Sequence, residues 1–321
     1  MSTILVGVDD SERAQDAIAF ARDLLRASRT RVVAATVFPY DDSPSRAANS
    51  DFRRLLEVEA VRTAKRHAER LTGIDASRIS VRSMARTSAA HGLQELAEQE
   101  DAGLIVVGSS HTGRRGRVLP GSTAERLLHG APCPVAVVPL GYRQGAHALR
   151  RIGAADDGSA ESRAAVRAAD VLARALGAQL TIIRVQPEVT TIAAAPDAVS
   201  ASPAPREDLL RAARHELDTT LELVEGARAR GVLREGDPAR ELADATCELD
   251  VLITGSRGYG PLRAVLLGGV TGPLLREAHA PVVVVPRGVD APLADLLAGN
   301  PQREGSRLRM EAGQGGHTVT T

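Results

Sequence analysis

Short runs of apolar, mostly β-branched residues alternate along this chain with longer segments whose apolar positions recur every three or four residues. Residues 3–8 form the first run, closed by Asp9-Asp10-Ser11. Ala14, Ala17, Ile18, Ala21, Leu24 and Leu25 then fall on one face of a predicted helix. Ser11 is placed to cap that helix, and Glu12 suits the positive end of its dipole. Further strands are predicted over 31–38, 79–84, 104–107 and 134–139, with helices over 55–71, 93–99 and 123–129. Residues 41–51 are polar and turn-rich.

The order then repeats. Strands are predicted at 152–155, 180–185, 231–235, 251–254 and 281–286, and a helix over 209–229. Another helix carries Ala165, Val166, Ala169, Leu172, Ala173 and Leu176 on one face. Residues 187–205, rich in Ala, Pro and Thr, read as a mobile loop. Asp9 and Asp157 lie 148 positions apart, and Gly108/Gly255 and Gly121/Gly268 each lie 147 apart. An offset that constant signals duplication of a whole domain. Strands alternating with helices predict the α/β class: two tandem doubly wound domains, each a five-stranded parallel sheet of order 3-2-1-4-5 with helices on both faces. The expected domains are 1–142 and 148–288, joined by a linker near 140–150 and followed by a disordered tail over 289–321. Val135–Val138 and Val282–Val285, bracketed by Pro134, Pro139, Pro281 and Pro286, are edges that would aggregate unless paired. The two halves are therefore expected to meet through their fifth strands.

The chemistry concentrates in two copies of one loop. Buried strands end on Gly108 and Gly255, and in each copy twelve residues (109–120 and 256–267) lead to a second glycine, Gly121 or Gly268, just before a helix. Such a loop can offer bare backbone N–H groups to an anion, with a helix N-terminus behind them. Each residue also has a plainer reading. Glycines are also what tight turns with positive φ require. Asp9 and Asp157 favour turns before helices. Ser122, three residues before Glu125, has capping-box spacing. Arg114, Arg115 and Arg117 could neutralise phosphate or form an ordinary solvated loop.

Composition narrows the classes. Lys plus Arg equals Asp plus Glu at 40 each, which argues against nucleic acid or a membrane surface as a partner held by bulk charge. Aromatics are 2% of residues and Trp is absent, so a base-stacking platform is not expected. The chain enters its first strand at once and has no membrane-length apolar run, and Cys133 and Cys247 occupy non-equivalent places in the repeat. Those features predict a cytoplasmic protein with free thiols. Lys65 is the single lysine and lies in a predicted helix, so a P-loop lysine is ruled out. Neither a metal-spaced Cys/His cluster nor a Gly-x-Ser-x-Gly elbow is present.

Asp-x-Ser after strand one, Gly-x2-Gly-x9-Gly-Ser/Thr after strand four and Ala-Pro opening strand five resemble the universal stress protein family, in tandem form, over about residues 1–288. The resemblance implies ATP or AMP held in each crevice, with Mg²⁺ possible but not required. Asp9 and Asp157, with the strand-two ends at Val37 and Val185, would line the adenosine site. The glycine loops would hold ribose and phosphates through Gly108, His111, Gly121, Ser122 and Thr123 in the first half. Gly255, Gly258, Gly268, Gly269 and Val270 would do so in the second. The copies depart from the pattern differently: His111 replaces a glycine in the first, and Gly269 replaces the hydroxyl residue in the second. The implied role is that of a nucleotide-binding regulator in the stress response, with a homodimer as a possible assembly. A weak ATPase using a strand-one carboxylate, and an interaction scaffold with vestigial pockets, are the alternatives.

Overall fold

The computed structural model describes residues 3–26, 28–40, 50–110, 115–145, 148–188, 206–225, 228–256 and 269–288. Residues 189–205 of the loop expected at 187–205 and the tail at 289–321 lie outside them. The first half runs β1 (Thr3–Gly7), α1 (Glu12–Leu25), β2 (Arg31–Phe38), α2 (Ser50–Ala68), β3 (Ile79–Ala85), α3 (Ala89–Gln99), β4 (Ala102–Gly108), α4 (Ser122–Gly130) and β5 (Val135–Val138). The second runs β6 (Arg151–Asp156), α5 (Ala160–Leu176), β7 (Gln179–Gln186), α6 (Arg206–Leu221), β8 (Arg228–Glu235), α7 (Pro238–Ala245), β9 (Val251–Gly255), α8 (Thr271–Glu277) and β10 (Val282–Val285).

These strands form one 10-stranded sheet in the order β3-β2-β1-β4-β5-β10-β9-β6-β7-β8. Each half has the expected order 3-2-1-4-5, and pairing within a half is parallel. The halves join where β5 and β10 pair antiparallel, Val282 with Val137 and Val284 with Val135. A palindromic strand order with an antiparallel central pair is that of a pseudo-twofold axis between β5 and β10. Central strands are buried on both faces, which is why β1 and β4 read as continuous apolar runs. Successive residues serve opposite layers: Ile4, Val6, Leu104 and Val106 pack toward α1, while Leu5, Ile105 and Val107 pack toward α3 and α4.

Three local features differ from the sequence reading. The helix expected to reach residue 229 ends at Leu221, because residues 228–231 are taken by pairing with Gln179–Ile182 of β7. The short helix α7 carries no long apolar period; it is started by Asp237, which accepts from the Arg240 N–H at 2.9 Å, and by Pro238 in its first turn. Within the segment expected to link the halves, residues 141–145 are pinned to α1. Asp16 accepts from the Gly141 and Arg143 N–H groups at 2.8 and 3.0 Å. The Tyr142 hydroxyl donates to Asp23 at 3.1 Å, and its ring meets Phe20 edge-on, with centroids 5.6 Å apart.

Candidate nucleotide clefts

Strand order reverses between β1 and β4, and again between β6 and β9. Connections leave such neighbouring strands toward opposite faces, which opens a crevice beyond their carboxyl ends. The first crevice is a cleft of about 260 Å³ that brings together Asp9, Val37, Gly108, Gly121, Ser122 and Thr123. His111 lies outside the described residues.

Asp9 closes a turn: its Oδ1 accepts from the Ser11 N–H at 3.0 Å and from the Ser11 hydroxyl. Ser11 does start α1, but its hydroxyl is spent on Asp9 and does not cap the helix, contrary to the sequence expectation. The Asp9 carboxylate stays 67% exposed, with the Arg13 guanidinium 3.9 Å away. The backbone of this turn is held by a residue that sequence reasoning missed. His67 Nε2 lies 2.9 Å from the Asp9 carbonyl oxygen, which can only accept, so Nε2 carries the proton. Burial pushes the His67 pKa below its usual 6.5, opposed by that bond, and Nδ1 has no protein partner. The buried ring is thus neutral. No local pattern in the sequence marks this contact, which spans 58 positions.

The glycines have distinct roles. A Cβ on Gly108 would lie 2.6 Å from the Arg13 carbonyl oxygen, and one on Gly255 would lie 2.6 Å from the Glu161 carbonyl carbon. Neither has positive φ, so these glycines serve close approach of the first turn of α1 or α5 to the strand end. Gly121 differs: a Cβ there would meet Ser110 at 3.6 Å, an ordinary contact. It is the N-cap of α4, so Ser122 occupies the first helical position. The capping box suggested by Ser122 and Glu125 therefore does not form from Ser122, which stands one residue inside the capping position. Ser122 is exposed at the cleft, and the first-turn N–H groups of α4 have no intrahelical acceptors. The loop is braced from behind: Ser109 Oγ donates to Val138 O at 2.8 Å and accepts from Leu119 N–H at 3.2 Å. Arg115 and Arg117 do not line the cleft; Arg13, also missed from the sequence, does.

The second cleft, about 370 Å³, gathers Asp157, Val185, Gly255, Gly269 and Val270; Gly258 and Gly268 lie outside the described residues. Asp157 repeats the turn of Asp9, accepting from Ser159 N–H at 2.9 Å. Here the serine does cap its helix, accepting from Ser162 N–H at 3.1 Å. The following helix, α8, is one short segment that starts after Val270. A buried charged cluster unread in the sequence stands beside this cleft. Asp156 accepts from Arg184, from Thr220 Oγ1 at 3.2 Å and from Ser162 Oγ at 3.2 Å, and Arg184 also pairs with Glu216. The repeat offset of 148 puts Val8 and Thr36 at the places of Asp156 and Arg184.

Among the described residues, no group of three or more His, Cys, Asp or Glu could hold a metal ion. No helix among them is long and apolar enough to cross a membrane. Both cysteines are free; burial pushes the Cys133 thiol up to about 12, and Cys247 is exposed with its Sγ 3.4 Å from His279 Nδ1.

The model of the universal stress protein family matches residues 1–139 and again 148–286. The chain belongs to that family. A universal stress protein of Mycobacterium tuberculosis is 29% identical over 299 residues, covering 88% of this chain and 99% of its own. A universal stress protein of Mycolicibacterium smegmatis is 28% identical over 289 residues, covering 88% and 96%. Among solved structures, a universal stress protein from Archaeoglobus fulgidus superposes with a TM-score of 0.63 at 18% identity over 89% of this chain and 98% of its own. A putative universal stress protein from Pseudomonas aeruginosa gives 0.60 at 19%, over 92% and 96%. At those identities the likeness speaks to the fold, two tandem α/β units.

Proposed function

We propose that this universal stress protein is an adenine-nucleotide-binding regulator of the cytoplasmic stress response, holding ATP or AMP at the carboxyl ends of β1 and β4 and of β6 and β9. The observation that carries the reading is the first cleft, where residues nominated from separate stretches of the sequence meet: Asp9, Val37, Gly121, Ser122 and Thr123. Asp9 offers an exposed carboxylate oxygen to sugar or base hydroxyl and amino donors. Val37 supplies an apolar wall. The first turn of α4, with the Ser122 hydroxyl, offers donors to phosphate without a lysine. Mg²⁺ is accessory in this reading, because the donors are N–H and O–H groups with Arg13.

Binding is favoured over hydrolysis. Among the described residues lining the first cleft there is no His and no carboxylate besides Asp9, whose Oδ1 accepts from Ser11. The fifth-strand surfaces are used within the chain, so a homodimer would use another face. Calorimetric titration of nucleotide-free protein with ATP, with and without a chelator, tests the proposal. Saturable binding that survives the chelator supports it, and absence of binding overturns it.

A further inference from the structure

We infer that His67 is a positioning residue for the first cleft, one that makes its affinity for nucleotide fall as the medium turns acidic. The inference deepens the nucleotide reading above and rests on it. Asp9 lines the cleft, and the direction of its carboxylate is set by the backbone that carries it. Three bonds fix that backbone. On the strand side, the Val8 N–H donates to Ala35 O at 2.8 Å. On the helix side, the Ser11 N–H donates to Asp9 Oδ1 at 3.0 Å. From α2, 58 positions away in sequence, His67 Nε2 donates to Asp9 O at 2.9 Å, and this is the one bond of the three whose donor is an imidazole. Thr63 and His67, four apart on one face of α2, are each 2% exposed. Thr63 Oγ1 donates to Asp10 Oδ1 at 2.9 Å, the Arg66 guanidinium reaches the same oxygen at 3.2 Å, and Arg70 donates to Gln15 at 3.0 Å. One side of the helix thus grips both residues of the Asp9–Asp10 turn.

The ring has one proton to give and one place to give it. Its Nδ1 is buried with no protein partner. A second proton there would sit on a donor without an acceptor, so the charged ring must swing toward water and release the Asp9 carbonyl. The charged groups around the ring are Arg66 and Arg70 of α2 and Asp9 of the turn, while α1 presents the neutral Gln15. Burial and the two arginines oppose protonation; the bond to Asp9 and its carboxylate favour it, and burial prevails. A ligand held by Asp9 needs the turn in place, so it binds the neutral-ring form better. By linkage, affinity is full where the ring is neutral and falls as pH drops below 6.5 through the free protein's lowered value. The second half is built otherwise. The buried positions Ala60, Ala64 and His67 of α2 recur as Ala213, Leu217 and Thr220 of α6, and Thr220 donates to the Asp156 carboxylate.

The test is calorimetric titration of the nucleotide-free full chain with ATP at pH 7 and pH 5, for the wild type, His67→Gln, His67→Leu and Gly121→Val, each checked for folding by circular dichroism. Ionisation of ATP itself is common to all four proteins, so each is compared with the others at the same pH. Between the two pH values the wild type is expected to lose about tenfold more affinity at its first site than His67→Gln loses. That excess should be missing from Gly121→Val, which assigns it to the first cleft. At pH 7, His67→Leu should bind about tenfold more weakly than the wild type, and His67→Gln, whose amide can still donate to Asp9 O, should recover most of that loss. A histidine that only supports the fold would change the stability of these variants and leave the ATP affinity of the folded protein unmoved. That result, or a wild-type pH profile matching that of His67→Gln, overturns the inference and leaves the nucleotide reading standing. Failure of the wild type to bind ATP at pH 7 overturns the nucleotide reading and the inference with it.

Discussion

The two clefts share a backbone plan and differ in what fills it. Asp9 and Asp157 make the same turn onto a serine N–H, and Gly108 and Gly255 let the same helix turn close on the same strand end. Yet the first half supports its turn with apolar Val8, Thr36 and a buried neutral His67, and the second with Asp156, Arg184 and Glu216. After duplication, the features set by backbone geometry were kept, while the side chains packed beneath the ligand-facing turn diverged. Backbone contact leaves no alternative residue type, whereas the buried pair of positions holds Val and Thr in one half and a complete ion pair in the other.

That contrast can be broken most sharply at Arg184. Arg184→Met leaves Asp156 buried without its cation and should destabilise the protein by about 3–5 kcal/mol. Adding Asp156→Val, which imitates the first half, should recover most of that loss. Chemical denaturation of the single and double variants reads both numbers, and a double variant as unstable as the single would show that the cluster is not a self-contained pair.

The shared backbone plan predicts symmetry elsewhere. Gly108→Ala and Gly255→Ala each drive a methyl into a helix carbonyl and should cost about 1–3 kcal/mol, by similar amounts, in thermal melts. A Cβ at Gly121 meets only ordinary contacts, so Gly121→Val should stay folded, losing about 1 kcal/mol for the poorer N-cap, while removing the first nucleotide site. A Gly121→Val protein that unfolded would refute the division between packing glycines and cleft glycines.

The smallest effect belongs to the first half alone. Because the folded-state pKa of His67 is lowered, the unfolded chain binds the proton more readily, so stability falls as pH drops below about 6.5 toward the folded value. His67→Gln, whose amide can still donate to the Asp9 carbonyl, should flatten that dependence in denaturation midpoints between pH 7 and 5.

Much of this was legible in the sequence because period and repeat are local signals. The strand and helix series, the order 3-2-1-4-5 and the pairing of Val135–Val138 with Val282–Val285 follow from apolar runs, turn residues and bracketing prolines. The Asp-x-Ser turns were legible for the same reason. What escaped was long-range register. Asp156 and Arg184 become neighbours only because β6 and β7 pair in that register, and His67 reaches Asp9 from a different helix. The capping-box alternative for Ser122 rested on its spacing to Glu125, whereas the helix starts one residue earlier in phase, with Gly121 as its cap. Arg13 carries no signal of its own in the sequence; the approach permitted by Gly108 sets it at the cleft.

The central claim, that the first cleft holds an adenine nucleotide on the N-terminal turn of α4, is met most directly by titrating ATP into nucleotide-free wild type and Gly121→Val. The account predicts that the wild type binds ATP and that the folded variant loses the first site. An unchanged ATP isotherm in folded Gly121→Val would contradict it.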